Sequence, residues 1–177
     1  MTAETPRQSD FYLSFESDLR KLATYHDDPL MNRLLFSHVI TIMEKYLSDL
    51  FIYEISNNDG KLKRLANQNK FKVQKVTVEF ALNNSVPNLI IDAMKRMVWH
   101  RLNDIQVFYK EVLGIPFELE RDVINAINKR HHLVHRNGFD FEGNTVPVND
   151  EELRTLISMI DEFISNIDEK YINLQHQ

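Results

Sequence analysis

The sequence predicts an all-α protein, a bundle of about five helices. Apolar residues recur at spacings of three and four along several long segments, which is the pattern of amphipathic helices. Hydrophobic residues make up 43% of the chain and charged residues 27%, with only four glycines and five prolines. This composition is typical of a globular, helix-rich protein. With 177 residues and no linker rich in proline or serine, we expect one domain spanning residues 1–177.

The predicted helices follow one another with turn residues between them. Ser9 or Asp10 is the expected N-cap of the first helix, and Asn149 or Asp150 that of the last. A long, central second helix is expected to end at the turn residues 56–60. The predicted spans are 11–25, 30–55, 87 to about 113, 117 to about 134, and a final helix from 150.

Residues 61–84 are harder to assign from their pattern. Val76, Val78 and Phe80 alternate as in a strand, but a lone short strand has no partner in a helical chain, so we expect a short helix and an irregular connection. Six cations lie between Lys61 and Lys75, with no acid before Glu79. They could follow an RNA backbone, or they could be a solvated loop.

Charge is segregated along the chain. The net charge of −5 divides into −5 over residues 1–59, +7 over 60–136 and −7 over 137–177. A basic segment between acidic ones is either a surface for an anionic ligand or a set of charges that interleave on folding.

Several classes of site are excluded or not expected. The absence of cysteine excludes disulfides, thiolate metal sites and cysteine nucleophiles. The sequence has no phosphate-binding glycine-rich loop, so we expect neither a nucleotide triphosphatase nor a cofactor. The polar start and the lack of a long apolar run predict a soluble, cytoplasmic protein with no membrane partner.

The segment from Arg130 to Gly138 holds three of the seven histidines between arginines. One interpretation is a metal site, because His131 and His135 are four apart and share a helix face. That site needs a third ligand, and the sequence has no His-Glu-x-x-His pattern, so no metal is expected.

A second interpretation is acid–base chemistry on a phosphodiester. An imidazole exchanges protons near neutral pH, and a guanidinium binds phosphate oxygens. Together they suffice for RNA cleavage in which the ribose 2′-hydroxyl attacks phosphorus. Arg130 and His135, however, lie about 140° apart on an ideal helix. Either the helix ends between them, near Asn137 and Gly138, or two chains supply the groups across a two-fold axis.

A third interpretation is structural, because cations at a helix C-terminus complement the helix dipole and bind the last carbonyls. The residues from Lys129 to Arg136 meet this description without any catalysis. Two further residues are open in the same way. Glu44 is either directed at the same cleft or a solvated or helix-pairing charge, and Trp99 is either a core or dimer contact or a base-stacking group.

Arg130-x4-His135, with His131 after the arginine, Leu133-Val134 before the histidine and Arg136-Asn137-Gly138 following, resembles the Arg-x4-6-His motif of the HEPN superfamily (higher eukaryotes and prokaryotes nucleotide-binding). The predicted architecture is similar over nearly the whole chain. The resemblance implies a metal-independent endoribonuclease acting as a homodimer, of the kind found among toxins and antiviral-defence effectors, with the arginines and histidines of both subunits in one cleft.

The resemblance also assigns roles to residues. Arg130 would stabilise phosphate charge, His135 would be the acid–base residue and His131 would orient the substrate, while the flanking basic residues Lys129, His132 and Arg136 would bind it. RNA is then the substrate, and a neutralising partner protein is plausible. Because other members of the superfamily have lost cleavage, the alternative is a non-catalytic helical module that binds a partner or nucleotide.

Overall fold

The structure, a computed structural model, describes residues 8–22, 28–73 and 75–176. Apart from one isolated antiparallel bridge between Phe139 and Thr145, the regular structure in these residues is helical, which confirms the predicted all-α class. The described part contains nine α-helices, so the expected number of about five is wrong. They are α1 (Asp10–Leu22), α2 (Pro29–Asn57), α3 (Asp59–Ala66), α4 (Asn69–Lys72), α5 (Val78–Asn83), α6 (Val86–Lys95), α7 (Leu102–Phe108), α8 (Arg121–His135) and α9 (Asp150–Gln175), with a π-helical turn at Tyr109–Leu113 after α7.

The extra helices arise where the sequence pattern runs across a break. The expected helix 87–113 is divided into α6, α7 and the π-helical turn, because residues 96–101 leave the helical path. The buried Trp99 side chain lies at this break, and its Nε1 donates a hydrogen bond to the Met94 carbonyl, 3.2 Å away. Segment 61–84 contains most of α3 and all of α4 and α5. The Thr77 hydroxyl caps α5 by accepting from Phe80 N, so the alternating residues are not a strand.

The chain divides into two compact units, and α2 contributes to both. The first unit comprises residues 1–46 and 118–177. In it, the buried Asp168 carboxylate of α9 accepts hydrogen bonds from Ser9 N at 3.0 Å, from the Ser9 hydroxyl, and from the Tyr46 hydroxyl at 2.9 Å. Ser9 Oγ also accepts from Tyr12 N, which confirms Ser9 as the cap of α1. The described part of this helix ends at Leu22, and the expected end at Tyr25 lies outside the described residues.

The second unit comprises residues 47–117. Its core is aromatic, with Phe51 packed against Trp99, Phe108 and Tyr109 at ring-centroid distances of 5.6, 6.2 and 5.7 Å. The Tyr109 hydroxyl donates to the Leu47 carbonyl. Trp99 is therefore a core residue of this unit. The Lys61 ammonium is paired with Glu54 in the same unit, so this lysine of the basic run has a protein partner.

The C-terminal end of α8 is fixed by a left-handed turn. The backbone N–H groups of Arg136 and Gly138 both donate to the His132 carbonyl, at 3.1 Å each. Asn137 and Gly138 have φ values of 52° and 84°, in the left-handed region that favours glycine. A Cβ atom at Gly138 would also collide with the Arg33 guanidinium of α2. The backbone conformation therefore favours glycine here, and a side chain would also displace the Arg33 guanidinium.

The last helix begins as expected, with the Asn149 side chain accepting from Glu152 N at 2.8 Å. Among the helices of the described residues, none is both long enough and apolar enough to cross a membrane.

Candidate functional site

The candidate site lies on the last turns of α8. This helix is continuous through both Arg130 and His135, so it does not end between them. Their side chains therefore point in directions about 140° apart. Arg130 is mostly enclosed, with 16% of its side chain exposed, whereas His135 is exposed. Within one chain, the two central residues of the motif occupy different surroundings.

Arg130 faces α2. Its Nη2 lies 4.0 Å from Glu44 Oε1, and Glu44 is also mostly enclosed, with 21% of its side chain exposed. Glu44 is thus a helix-pairing charge. The Nε atom of Arg130 is buried and has no hydrogen-bond partner among the described residues. An unsatisfied buried donor costs about 1–3 kcal/mol, so the pairing with Glu44 leaves the guanidinium incompletely bound.

His131 and His135 form an exposed pair on one face of α8. Their ring centroids are 4.8 Å apart with an interplanar angle of 46°. The pKa of His131 is lowered from its ordinary value of 6.5, first because the neighbouring groups partly desolvate the ring, and then because of the charge of His135, His132, Arg136 and Arg130. A lowered pKa keeps this imidazole neutral, and therefore able to accept a proton, at neutral pH.

A metal site needs more ligands than this pair supplies. Within the parts of the chain that the structure describes, no group of three His, Asp or Glu side chains is placed to hold a metal ion. The two imidazoles therefore lack a third ligand from these residues.

His132 and Arg136 both contact Phe141, a residue that the sequence did not single out. The His132 ring meets the Phe141 ring edge-on, with centroids 5.0 Å apart and an interplanar angle of 88°. The Arg136 guanidinium carbon lies 3.9 Å from the Phe141 ring centroid. The Nδ1 atom of His132 is buried without a hydrogen-bond partner in the described part of the chain. The sequence signal that could have identified Phe141 is an aromatic residue within a polar turn.

Lys129 is held by protein groups. Its ammonium lies 2.5 Å from Glu152 Oε1 and donates to the Pro147 carbonyl at 2.6 Å. It also lies over the Phe36 ring, 5.5 Å from the centroid. The structure therefore places Lys129 as a link from α8 to the start of α9, whereas Arg136 has no carboxylate partner among the described residues.

The loop after α8 is tied together by Asp140. Its carboxylate accepts from Asn144 N, Asn144 Nδ2 and Glu142 N at 2.7, 3.1 and 3.0 Å. These hydrogen bonds, led by the one from the Asn144 side chain, lower the pKa of Asp140. Val146 N donates to the Gly138 carbonyl at 2.8 Å and closes the loop. Residues 138–144 thus form a well-bonded loop beside the histidines.

Comparison with protein-family models, with curated proteins and with solved structures finds no match to this chain. The function of the site must therefore be argued from its own chemistry. It combines proton-exchanging imidazoles, guanidinium groups suited to phosphate, and an exposed aromatic ring on a fixed loop.

Proposed function

We propose that this protein is a metal-independent endoribonuclease of HEPN type, acting as a homodimer in which Arg130 of one copy works with His135 of the other. The observation that carries the proposal is the exposed pair of His131 and His135, with ring centroids 4.8 Å apart, at a helix end that also carries Arg130 and Arg136. Such a group attracts a phosphodiester and supplies a proton acceptor at neutral pH.

In the proposed reaction, the 2′-hydroxyl of a ribose attacks the adjacent phosphorus. A bond forms between phosphorus and O2′, and the bond from phosphorus to O5′ breaks, leaving a cyclic phosphate and a free 5′-hydroxyl. His135 takes the proton from O2′ and delivers it to O5′. Arg130 stabilises the charge that develops on the phosphate oxygens, and His131 orients the substrate.

The direction of the side chains supports the homodimer. On the continuous helix α8, Arg130 and His135 diverge by about 140°, so one phosphate cannot easily contact both in the same chain. A two-fold axis beside α8 would bring the Arg130 of one copy towards the His135 of the other. The 16% of the Arg130 side chain that remains exposed is the part that a phosphate oxygen would contact in this arrangement.

A specific observation also favours a second candidate, a non-catalytic helical module that binds a partner or a nucleotide. Arg130 is largely enclosed and lies 4.0 Å from Glu44, which suits a residue that joins α2 to α8. In that case the motif stabilises the fold, and the exposed histidines serve binding alone.

The test is cleavage of mixed RNA in excess chelator by the wild-type protein and by the variants Arg130→Ala and His135→Ala. We expect each variant to lose at least about 100-fold in rate, the usual contribution of a positioned acid–base group. Matched controls are Arg20→Ala and His176→Ala, which remove exposed residues of the same types away from α8. Equal cleavage by all five proteins, or cleavage only with added divalent metal, would overturn the proposal.

Folding of each variant is checked by thermal unfolding, because Arg130→Ala also removes the contact with Glu44. Arg130→Lys separates the two candidates further. It retains a cation near Glu44 but loses the planar fork that binds two phosphate oxygens. A nuclease is expected to lose activity in this folded variant, whereas a purely structural cation would tolerate the change.

A further inference from the structure

The loop after α8 presents an aromatic ring to solvent. Phe141 keeps 68% of its accessible surface, and it lies in the polar turn directly after Asp140. A single exposed apolar side chain is ordinary on a protein surface. What distinguishes Phe141 is that its backbone is fixed and its ring is already stacked on a cation.

The fixed backbone comes from hydrogen bonds on both sides of the ring. The Asp140 carboxylate accepts from Glu142 N and Asn144 N, and Asp140 N donates to the Asn144 carbonyl at 2.9 Å. Gly143, with φ of 86°, allows the turn to close. An exposed ring held in this way loses little conformational entropy when a ligand binds to it.

The ring is stacked on a guanidinium. The Arg136 carbon lies 3.9 Å from the Phe141 centroid, and His132 contacts the same ring at a right angle. Because about two thirds of Phe141 remains accessible, these neighbours do not enclose it, and ring surface is left for a third planar group. Aromatic and guanidinium planes are the groups on which proteins stack unpaired nucleobases.

Charged groups of both signs, two guanidinium groups and two carboxylates, surround the loop, so a partner of the ring is expected to be polar. Arg136 has no carboxylate partner among the described residues, and the Arg33 guanidinium reaches the loop at Gly138. The Asp140 carboxylate is occupied by loop N–H groups. Glu142 is the opposing charge, since it is exposed next to the ring.

We infer that Phe141 is a stacking platform for an unpaired nucleobase of single-stranded RNA, with Arg136 behind the ring. This inference rests on the proposed function and deepens it, because it identifies the substrate as single-stranded near the cleaved bond. A base paired within a duplex cannot present its face to the ring.

The experiment measures binding separately from cleavage. The probe is a fluorescent single-stranded oligonucleotide with 2′-fluoro sugars, which lacks the attacking hydroxyl, and binding to wild-type protein is followed by anisotropy. Phe141→Leu keeps an apolar side chain but removes the ring, and we expect about 5- to 100-fold weaker binding. Phe141→Trp keeps a stacking surface and is expected to retain binding.

Two controls isolate the stacking interaction. Phe139→Leu changes the other exposed phenylalanine of this loop, which is 42% exposed, and is expected to leave affinity within about twofold. An oligonucleotide with abasic sites keeps the phosphates but lacks the bases, so wild type and Phe141→Leu are expected to bind it equally. Thermal unfolding verifies that Phe141→Leu, Phe141→Trp and Phe139→Leu all fold.

Each outcome bears on one proposal. Equal affinity of wild type and Phe141→Leu for the base-containing probe overturns the proposal that Phe141 is a stacking platform. The ribonuclease proposal is unaffected by that result if cleavage in chelator persists. Loss of self-association in Phe141→Leu, with unchanged oligonucleotide affinity, also overturns it and makes the loop a protein contact. Binding that depends on Phe141 without any cleavage retains the platform and removes the nuclease. No binding by wild-type protein overturns the platform.

Discussion

The first unit contains two polar clusters that differ in how completely their groups are paired. Around Asp168, a buried carboxylate is matched by three donors, from Ser9 N, the Ser9 hydroxyl and the Tyr46 hydroxyl. At the end of α8, Arg130 Nε and His132 Nδ1 are buried without partners in the described part of the chain, and cations stand side by side.

We interpret this difference in pairing as the difference between a structural cluster and one that serves the proposed function. A matched cluster such as that of Asp168 joins α1, α2 and α9 and leaves nothing for a ligand to bind. An unmatched cluster reduces stability, since each unpaired buried group costs free energy and like charges repel. We interpret the α8 cluster, which the proposed function uses, as the functional one of the two.

The largest expected change in stability comes from breaking the matched cluster. Asp168→Ala removes the carboxylate that accepts from the buried Ser9 N–H and from the Tyr46 hydroxyl, and we expect the free energy of unfolding to fall by about 3 kcal/mol. Glu169→Ala, an exposed neighbour on the same helix, is the matched control and should change it by less than about 0.5 kcal/mol. Urea titration measures both. A loss below about 1 kcal/mol in Asp168→Ala would show that the cluster is not a stabilising one.

A smaller effect of opposite sign is expected at the unmatched cluster. His132→Phe removes the unpaired Nδ1 and keeps a ring against Phe141, so we expect stability to be unchanged or to rise by up to about 1 kcal/mol. The same urea titration measures this, with Phe141→Leu as a control for the ring contact alone. Destabilisation of His132→Phe by more than about 1 kcal/mol would mean that the imidazole has a bound partner, such as an ordered water.

The smallest effect concerns the pKa of His131, measured by NMR titration of its ring protons. We expect a value below 6.5 in the wild type and a higher one in His135→Asn, because removing the His135 charge makes protonation of His131 less costly. The value should remain below 6.5, since desolvation by the neighbouring groups persists. His176→Asn, directly after the end of α9, is the control.

The same shift has a consequence for stability. Because the pKa of His131 is lower in the folded state, the unfolded chain binds more protons between that value and 6.5. The free energy of unfolding should therefore decrease as pH falls through this interval, and His131→Gln should weaken the decrease. A His131 pKa at or above 6.5 in the wild type would contradict the lowered pKa and this pH dependence.

Local signals were sufficient for part of the fold. Ser9 and Asn149 are side chains that can bond the next helix turn on their own, so the caps of α1 and α9 followed from the sequence. The division of 87–113 did not, because the buried Trp99 and its bond to Met94 depend on tertiary packing with Phe51. A periodic apolar pattern continues across such a break and cannot reveal it.

The candidate site shows the same limit. The spacing of His131 and His135 predicted that they share a face, and the structure places their rings 4.8 Å apart. The partners of Lys129 and Arg130 could not be predicted, because Glu152 and Glu44 are distant in sequence. Phe141 was missed for a different reason: Arg136 is only five residues away, but the turn at Asn137 and Gly138 brings it against the ring.

The central claim is that Arg130 of one copy and His135 of a second copy cleave RNA together without metal. The most direct test is to mix the folded variants Arg130→Ala and His135→Ala, let them exchange subunits, and measure cleavage in excess chelator. A mixed dimer has one intact pair, so random exchange should restore up to about a quarter of wild-type activity from two inactive proteins. A mixture that stays as inactive as its components, beside an active wild-type protein, would contradict the account.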